Sequence, residues 1–113
     1  QLHRLAGPAK IDLKNQRYEW WVNGLLHRLD GPAYIDENNQ IYLWVVNGLR
    51  HRLDGPAIID LKNKIYQWHI NGFNKTEEIT IWLEENKIDW RNMTILEKII
   101  FRMEFYNELF NYF

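Results

Sequence analysis

A spacing of 24 residues constrains this chain more than any other feature: His3, His27 and His51 stand that far apart, each at the head of the same phrase. The phrases read His3-Arg-Leu-Ala-Gly-Pro-Ala9, His27-Arg-Leu-Asp-Gly-Pro-Ala33 and His51-Arg-Leu-Asp-Gly-Pro-Ala57. Downstream of each lies a second phrase: Tyr18-Glu-Trp-Trp-Val-Asn-Gly24, Tyr42-Leu-Trp-Val-Val-Asn-Gly48 and Tyr66-Gln-Trp-His-Ile-Asn-Gly72. A fixed period without insertions means that one supersecondary unit is stacked on copies of itself. Three units cover residues 1–73, and the register predicts an Asn-Gly pair before Gln1 and room for further repeats upstream.

Each unit reads as a β-hairpin. A short strand (8–13, 32–37, 56–61) leads through a polar turn into an aromatic strand (17–22, 41–46, 65–70) rich in Tyr, Trp, Val and Ile. Asn-Gly closes each unit because both residues tolerate positive φ. The Gly-Pro step then returns the chain to an extended conformation. Alternation puts Tyr18, Trp20 and Val22 on one face with Ile11, and their equivalents after them; this face hardly changes between units and is the expected core. The opposite face varies. It carries Tyr34, Leu43, Val45 and His69, which makes those four the expected specificity surface of the sheet.

The repeated Asn-Gly, the following His and the Trp strand resemble the MORN repeat, and most closely its Asn-Gly-x-x-His-Arg-x-Asp-Gly-Pro-Ala variant, associated with phage and giant-virus proteins. Residues 23–33 and 47–57 carry that phrase throughout, while the first unit has Ala6 in place of Asp. The resemblance implies a single-layer antiparallel hairpin-repeat solenoid serving as a platform for partners. It also implies a viral setting, in the virion or the host cytoplasm, where a scaffold and an inhibitor of a host defence protein are both open roles.

After Gly72 the pattern stops: Lys75 stands where His would fall, and no Gly-Pro follows. Asn74 or Thr76 is a fitting cap for a helix whose first turn holds Glu77 and Glu78. Thr94-Ile-Leu-Glu97 is a capping box, predicting a second helix to about Tyr112. Residues 74–113 are therefore a helical cap on the last strand edge, and the fold class is mainly β with a helical C-terminus, α+β. The second helix carries two apolar stripes. Ile95, Leu96, Ile99, Met103, Tyr106 and Phe110 are expected against the repeats, leaving Phe101, Phe105, Leu109 and Tyr112 for a protein partner or a second copy.

The remaining chemistry is sparse. Lys and Arg total 14 against 15 Asp and Glu, a net charge of −1, so no basic nucleic-acid surface is expected. The absence of cysteine excludes disulfides and thiolate zinc sites. No apolar run approaches the roughly 18 residues that span a bilayer, lipid-surface binding has no basic stripe to support it, and no secretion signal is visible. Equivalent histidines of stacked hairpins lie about 9–10 Å apart, too far to share a metal ion. His27, Arg28 and Asp30, and likewise His51, Arg52 and Asp54, read instead as turn clamps in which the aspartates accept and the histidines donate. No phosphate loop, nucleophile elbow or metal motif appears. The expectation is a non-catalytic interaction or scaffold module without cofactor. The alternative is a small-ligand or glycan binder using the aromatic hairpins as a platform.

Overall fold

The computed structural model describes residues 10–106. The first histidine phrase, including His3, lies outside them, as do Leu109, Phe110 and Tyr112 and the expected reach of the last helix to Tyr112. Within them the chain is mainly β, with two α-helices towards the C-terminus.

Three hairpins make one antiparallel meander: β1 (Lys10–Asp12) with β2 (Arg17–Glu19), β5 (Tyr34–Asp36) with β6 (Ile41–Leu43), and β9 (Ile58–Asp60) with β10 (Ile65–Gln67). The register sets Ile11, Tyr18, Ile35, Tyr42, Ile59 and Tyr66 in a single row across the sheet. Isoleucine against tyrosine is a favourable cross-strand pair, and it recurs at every step. The intervening turns end in a left-handed residue, Gln16, Gln40 or Lys64, with φ of 52°, 53° and 55°.

The aromatic strands do not run straight to Asn-Gly. Each stops at its tryptophan, and a second, two-residue hairpin follows: β3 (Trp21–Val22) with β4 (Leu25–Leu26), β7 (Val45–Val46) with β8 (Leu49–Arg50), and β11 (His69–Ile70) with β12 (Phe73–Asn74). Asn47 (φ 51°) and Gly48 (φ 78°) supply the two positive φ values of a type I′ turn, and the other Asn-Gly pairs match. Tryptophan is the branch point. The Trp44 N–H donates forward to Ala57 O at 2.8 Å, while its carbonyl accepts from His51 N at 3.0 Å in the returning strand. Trp20 does the same with Ala33 and His27.

This break corrects the reading of the faces. Period-two alternation holds only along a continuous strand, so residues beyond each tryptophan re-aim. Val45 (4% exposed) and His69 (5%), expected on the outer variable face, are core residues. Tyr34 and Leu43 are paired neighbours on that face and half-buried. The flat of the expected inner face is only partly covered, with Ile11 and Val22 exposed. Deep burial lies at the bend, where Trp20, Ala33 and Val45 form one cluster.

The larger cluster joins Trp68 and Ile70 to Ile79, Leu83 and Phe101 of the helices. Helix α1 (Thr76–Glu85) begins at Lys75, without a side-chain cap. It ends in a Schellman motif: Ile88 N donates to Leu83 O, Lys87 N donates to Glu84 O, and Lys87 holds φ 54° where glycine is usual. A 3₁₀ turn at Trp90–Asn92 leads to α2 (Ile95–Phe105), whose capping box is complete between Thr94 and Glu97. The two stripes of α2 are exchanged relative to expectation. Phe101 is fully buried, and Phe105 is half-buried with its ring edge-on to Trp82 at 5.5 Å. Ile95, Leu96, Ile99 and Met103 face outward instead.

Phe101 touches Trp68, Trp82 and Phe105, with ring centroids 5.5, 5.9 and 5.1 Å away. Phe101→Ala is expected to cost about 3–5 kcal/mol in urea denaturation, the range for a large aromatic truncated in a core. A loss below about 1 kcal/mol would mean that α2 packs by its other stripe.

Candidate functional site

Two places on the described surface combine exposure with chemistry: a cleft between the repeat turns and α2, and the outer face of α2 itself. The cleft has a volume of about 500 Å³ and is walled by Trp44, Val46, His51, Arg52 and Leu53, by the preceding Arg28-to-Gly31 turn, and by Arg102 of α2.

Its walls are built by a unit that recurs. Arg28 stacks its guanidinium 3.8 Å from the centroid of Trp20, and Arg52 does so on Trp44 at the same distance. Arg52 Nε donates to Asp54 Oδ1 at 2.8 Å, and its Nη1 donates to Pro56 O at 3.1 Å; Arg28 does likewise with Asp30 and Pro32. The Arg28 hydrogen bond holds the Asp30 carboxyl below the usual carboxylate range. The glycine follows from the stack: a Cβ on Gly55 would lie 2.6 Å from Arg52 Cζ, and one on Gly31 would lie 3.0 Å from Arg28 Cζ. Gly55 has no left-handed φ, so space and not backbone freedom selects it.

The histidines act between successive small hairpins. His27 Nδ1 accepts from the Asn47 backbone N–H at 3.0 Å, and His51 Nδ1 accepts from Asn71 N–H at 2.9 Å. This reverses the expected donor role. The first residue of a two-residue hairpin turn has an N–H that the ladder does not use, and the histidine that follows the preceding small hairpin satisfies it. Burial pushes the His51 imidazole below its ordinary pKa, and its ring meets Tyr106 at 5.6 Å. Buried His69 is also shifted down, by desolvation first and by the nearby Arg50 cation second, against an opposing hydrogen bond with the Gln67 backbone.

One clamp went unread in the sequence. Asp12, Asp36 and Asp60 each accept from the backbone N–H and the side-chain amide of the asparagine three residues on, Asn15, Asn39 and Asn63. The Asn39 side-chain bond is the main reason why buried Asp36 titrates low, with Arg17 at 3.6 Å adding to it. The signal was legible as Ile-Asp-x-x-Asn at the same place in every unit.

The outer face of α2 carries Ile95 (80% exposed), Leu96 (65%), Ile99, Ile100 and Met103. They stand opposite the Glu97, Phe101 and Phe105 row that faces the core, so the helix shows water a continuous aliphatic ridge. Arg102 lies on the flank between ridge and cleft. A second, shallower groove of about 710 Å³ contains Tyr66, Trp68 and Trp90. Its rings are partly covered by the chain's own cation, since Arg91 lies 4.5 Å from the Trp90 centroid and 5.3 Å from that of Tyr66.

Among the described residues no cluster of His, Asp and Glu is arranged to hold a metal ion, and no helix is long and apolar enough to cross a membrane. In comparisons with known proteins the chain matches no family model, no curated protein and no solved structure.

The stack gives a direct test. Gly55→Ala is expected to cost about 1–3 kcal/mol by forcing the guanidinium aside, the range for overpacking. In an Arg52→Ala background most of that cost is expected to vanish, because the group displaced is already gone. Additive losses in the double-mutant cycle would place the Gly55 constraint elsewhere.

Proposed function

We propose that this chain is a non-catalytic protein-interaction module of the MORN-like hairpin-repeat kind, with the aliphatic ridge of α2 as its contact surface. The observation that carries the reading is the ridge: five large aliphatic side chains are exposed side by side on one helix. Single exposed leucines are ordinary, whereas a contiguous row on a rigid element marks a contact site. The element is rigid because α2 is anchored through Phe101 in the aromatic cluster. The repeat array contributes the platform, and its solenoid character rests on the His–Asn links between successive small hairpins.

The contact moves accordingly from Phe101 and Phe105, which serve the core, to Ile95, Leu96, Ile99, Ile100 and Met103. Lys98 and Arg102 edge the ridge on its cleft side and Glu104 on the other, so the polar rim has opposite charges on its two flanks. Such a rim sets orientation more than affinity. The glycan-platform alternative is less well supported, since Arg91 already occupies the ring faces that a sugar would use.

A photo-crosslinking amino acid at position 99 of the full chain, in its native cell, tests the reading. A discrete adduct, to a second copy or to one partner protein, is expected from position 99, and it is lost on adding Leu96→Asp and Met103→Asp. Those two changes are expected to lower folding stability by no more than about 1 kcal/mol together, about 0.5 kcal/mol each, as surface substitutions do. Adducts formed only from positions 34 and 43 would put the contact on the sheet.

A further inference from the structure

We propose that the joint between the last hairpin unit and the helices is a proton-sensitive latch, closed while the His51 imidazole is neutral and released when its second ring nitrogen is protonated. The geometry carries this independently of the function assigned to the ridge. His51 Nδ1 accepts the Asn71 N–H at 2.9 Å. An imidazolium bears hydrogen on both nitrogens and accepts nothing, so protonation replaces an attraction with two hydrogens facing each other. The Asn71-Gly72 turn that His51 holds connects β11, with buried His69 and Ile70, to β12, directly before α1. The same ring meets Tyr106, the C-cap residue of α2, at 5.6 Å between centroids. One side chain therefore joins the turn of the last small hairpin to the C-terminus of α2.

The surroundings offer an imidazolium little relief. Its own turn presents Arg52 and Asp54, the preceding turn Arg28 and Asp30, and α2 presents Arg102 across the same cleft. Arg50 precedes it on β8. Both aspartates are already engaged, by Arg52 and by Arg28. Burial is what disfavours the charged ring here. The Tyr106 ring is tilted at 59° and does not replace the lost acceptor. The downward pKa shift of His51 agrees in sign. With the folded value depressed, the latch contributes fully above the free imidazole value near 6.5 and is lost as the pH falls from there through the folded value.

Amide exchange in the full chain, read residue by residue, tests the latch, because His69 lowers global stability with the same sign. The protection factor of the Asn71 amide relative to that of Tyr42 is expected to fall severalfold, with about tenfold as the limit, between about pH 7.5 and about pH 5.5. His51→Asn offers a carboxamide oxygen that accepts at either pH, and it is expected to hold the ratio constant. His51→Leu is expected to give the low ratio at both. A constant ratio in the wild type, or an equal fall in His51→Asn, would overturn the proposal. Where a variant fails to fold, the ring nitrogen shifts of the wild type still decide: an unprotonated Nδ1 at about pH 7.5 supports the latch, and a protonated Nδ1 overturns it.

Discussion

The fold depends on one branching of backbone hydrogen bonds at the tryptophan of each unit. Trp44 gives its N–H to the next unit and takes a bond on its carbonyl from its own returning strand. A residue used in two directions cannot continue a flat ladder, so the strand ends there and the Asn-Gly hairpin folds off as a second tier. That tier has its own links between successive small hairpins: Gly48 N donates to Leu26 O, Gly72 N to Arg50 O, and Arg52 N to His69 O. The large meander and the row of small hairpins are thus held in the same register twice, and side chains at the bend are closed in from both. Ala33 and Ala57, fully buried there, are small because two backbones approach across them.

The invariant phrase is the set of parts that this bend requires. The arginine covers the tryptophan ring and returns its Nη1 to the carbonyl of the proline two residues past the aspartate, Pro56 in the case of Arg52. The glycine gives the guanidinium room, the aspartate fixes Nε, and the histidine reaches forward to the following turn. Each is a local bond of modest strength, on the order of 1 kcal/mol net, but all of them constrain the same few residues. Repetition of His, Arg and Asp reflects this shared duty, and charge pairing inside each turn leaves little net field for a ligand.

Period, hairpins and strand order were legible because the six-residue Ile and Tyr row depends only on alternation within short strands. The capping box at Thr94 was legible because it is a matter of four adjacent residues. Val45 and His69 were misplaced because the break at tryptophan leaves no mark in hydrophobicity: Trp-Val-Val and Trp-His-Ile read as strand whether straight or folded. The direction of the histidine bond was invisible for another reason. It joins residues 20 apart, and only the paired turns reveal which partner has the spare N–H.

The reversed orientation of α2 follows from where the repeat stops. In the described earlier units the residue eight beyond the tryptophan is an arginine, Arg28 or Arg52, and it lies over the indole. Eight beyond Trp68 stands Thr76. Its Oγ1 accepts the Trp68 N–H at 2.9 Å, standing in for the alanine carbonyl that a further unit would have supplied. A hydroxyl so placed satisfies the Trp68 N–H but leaves the indole without the guanidinium. The ring must be covered by something flat and apolar, and Phe101 and Trp90 supply it, at 5.5 and 6.0 Å between centroids. Aromatic rings gain more from this than branched aliphatics would, because edge and face contacts add to the area buried. The aromatic stripe of α2 is therefore drawn inward by the missing arginine, and the same rotation turns Ile95, Leu96, Ile99, Ile100 and Met103 towards solvent.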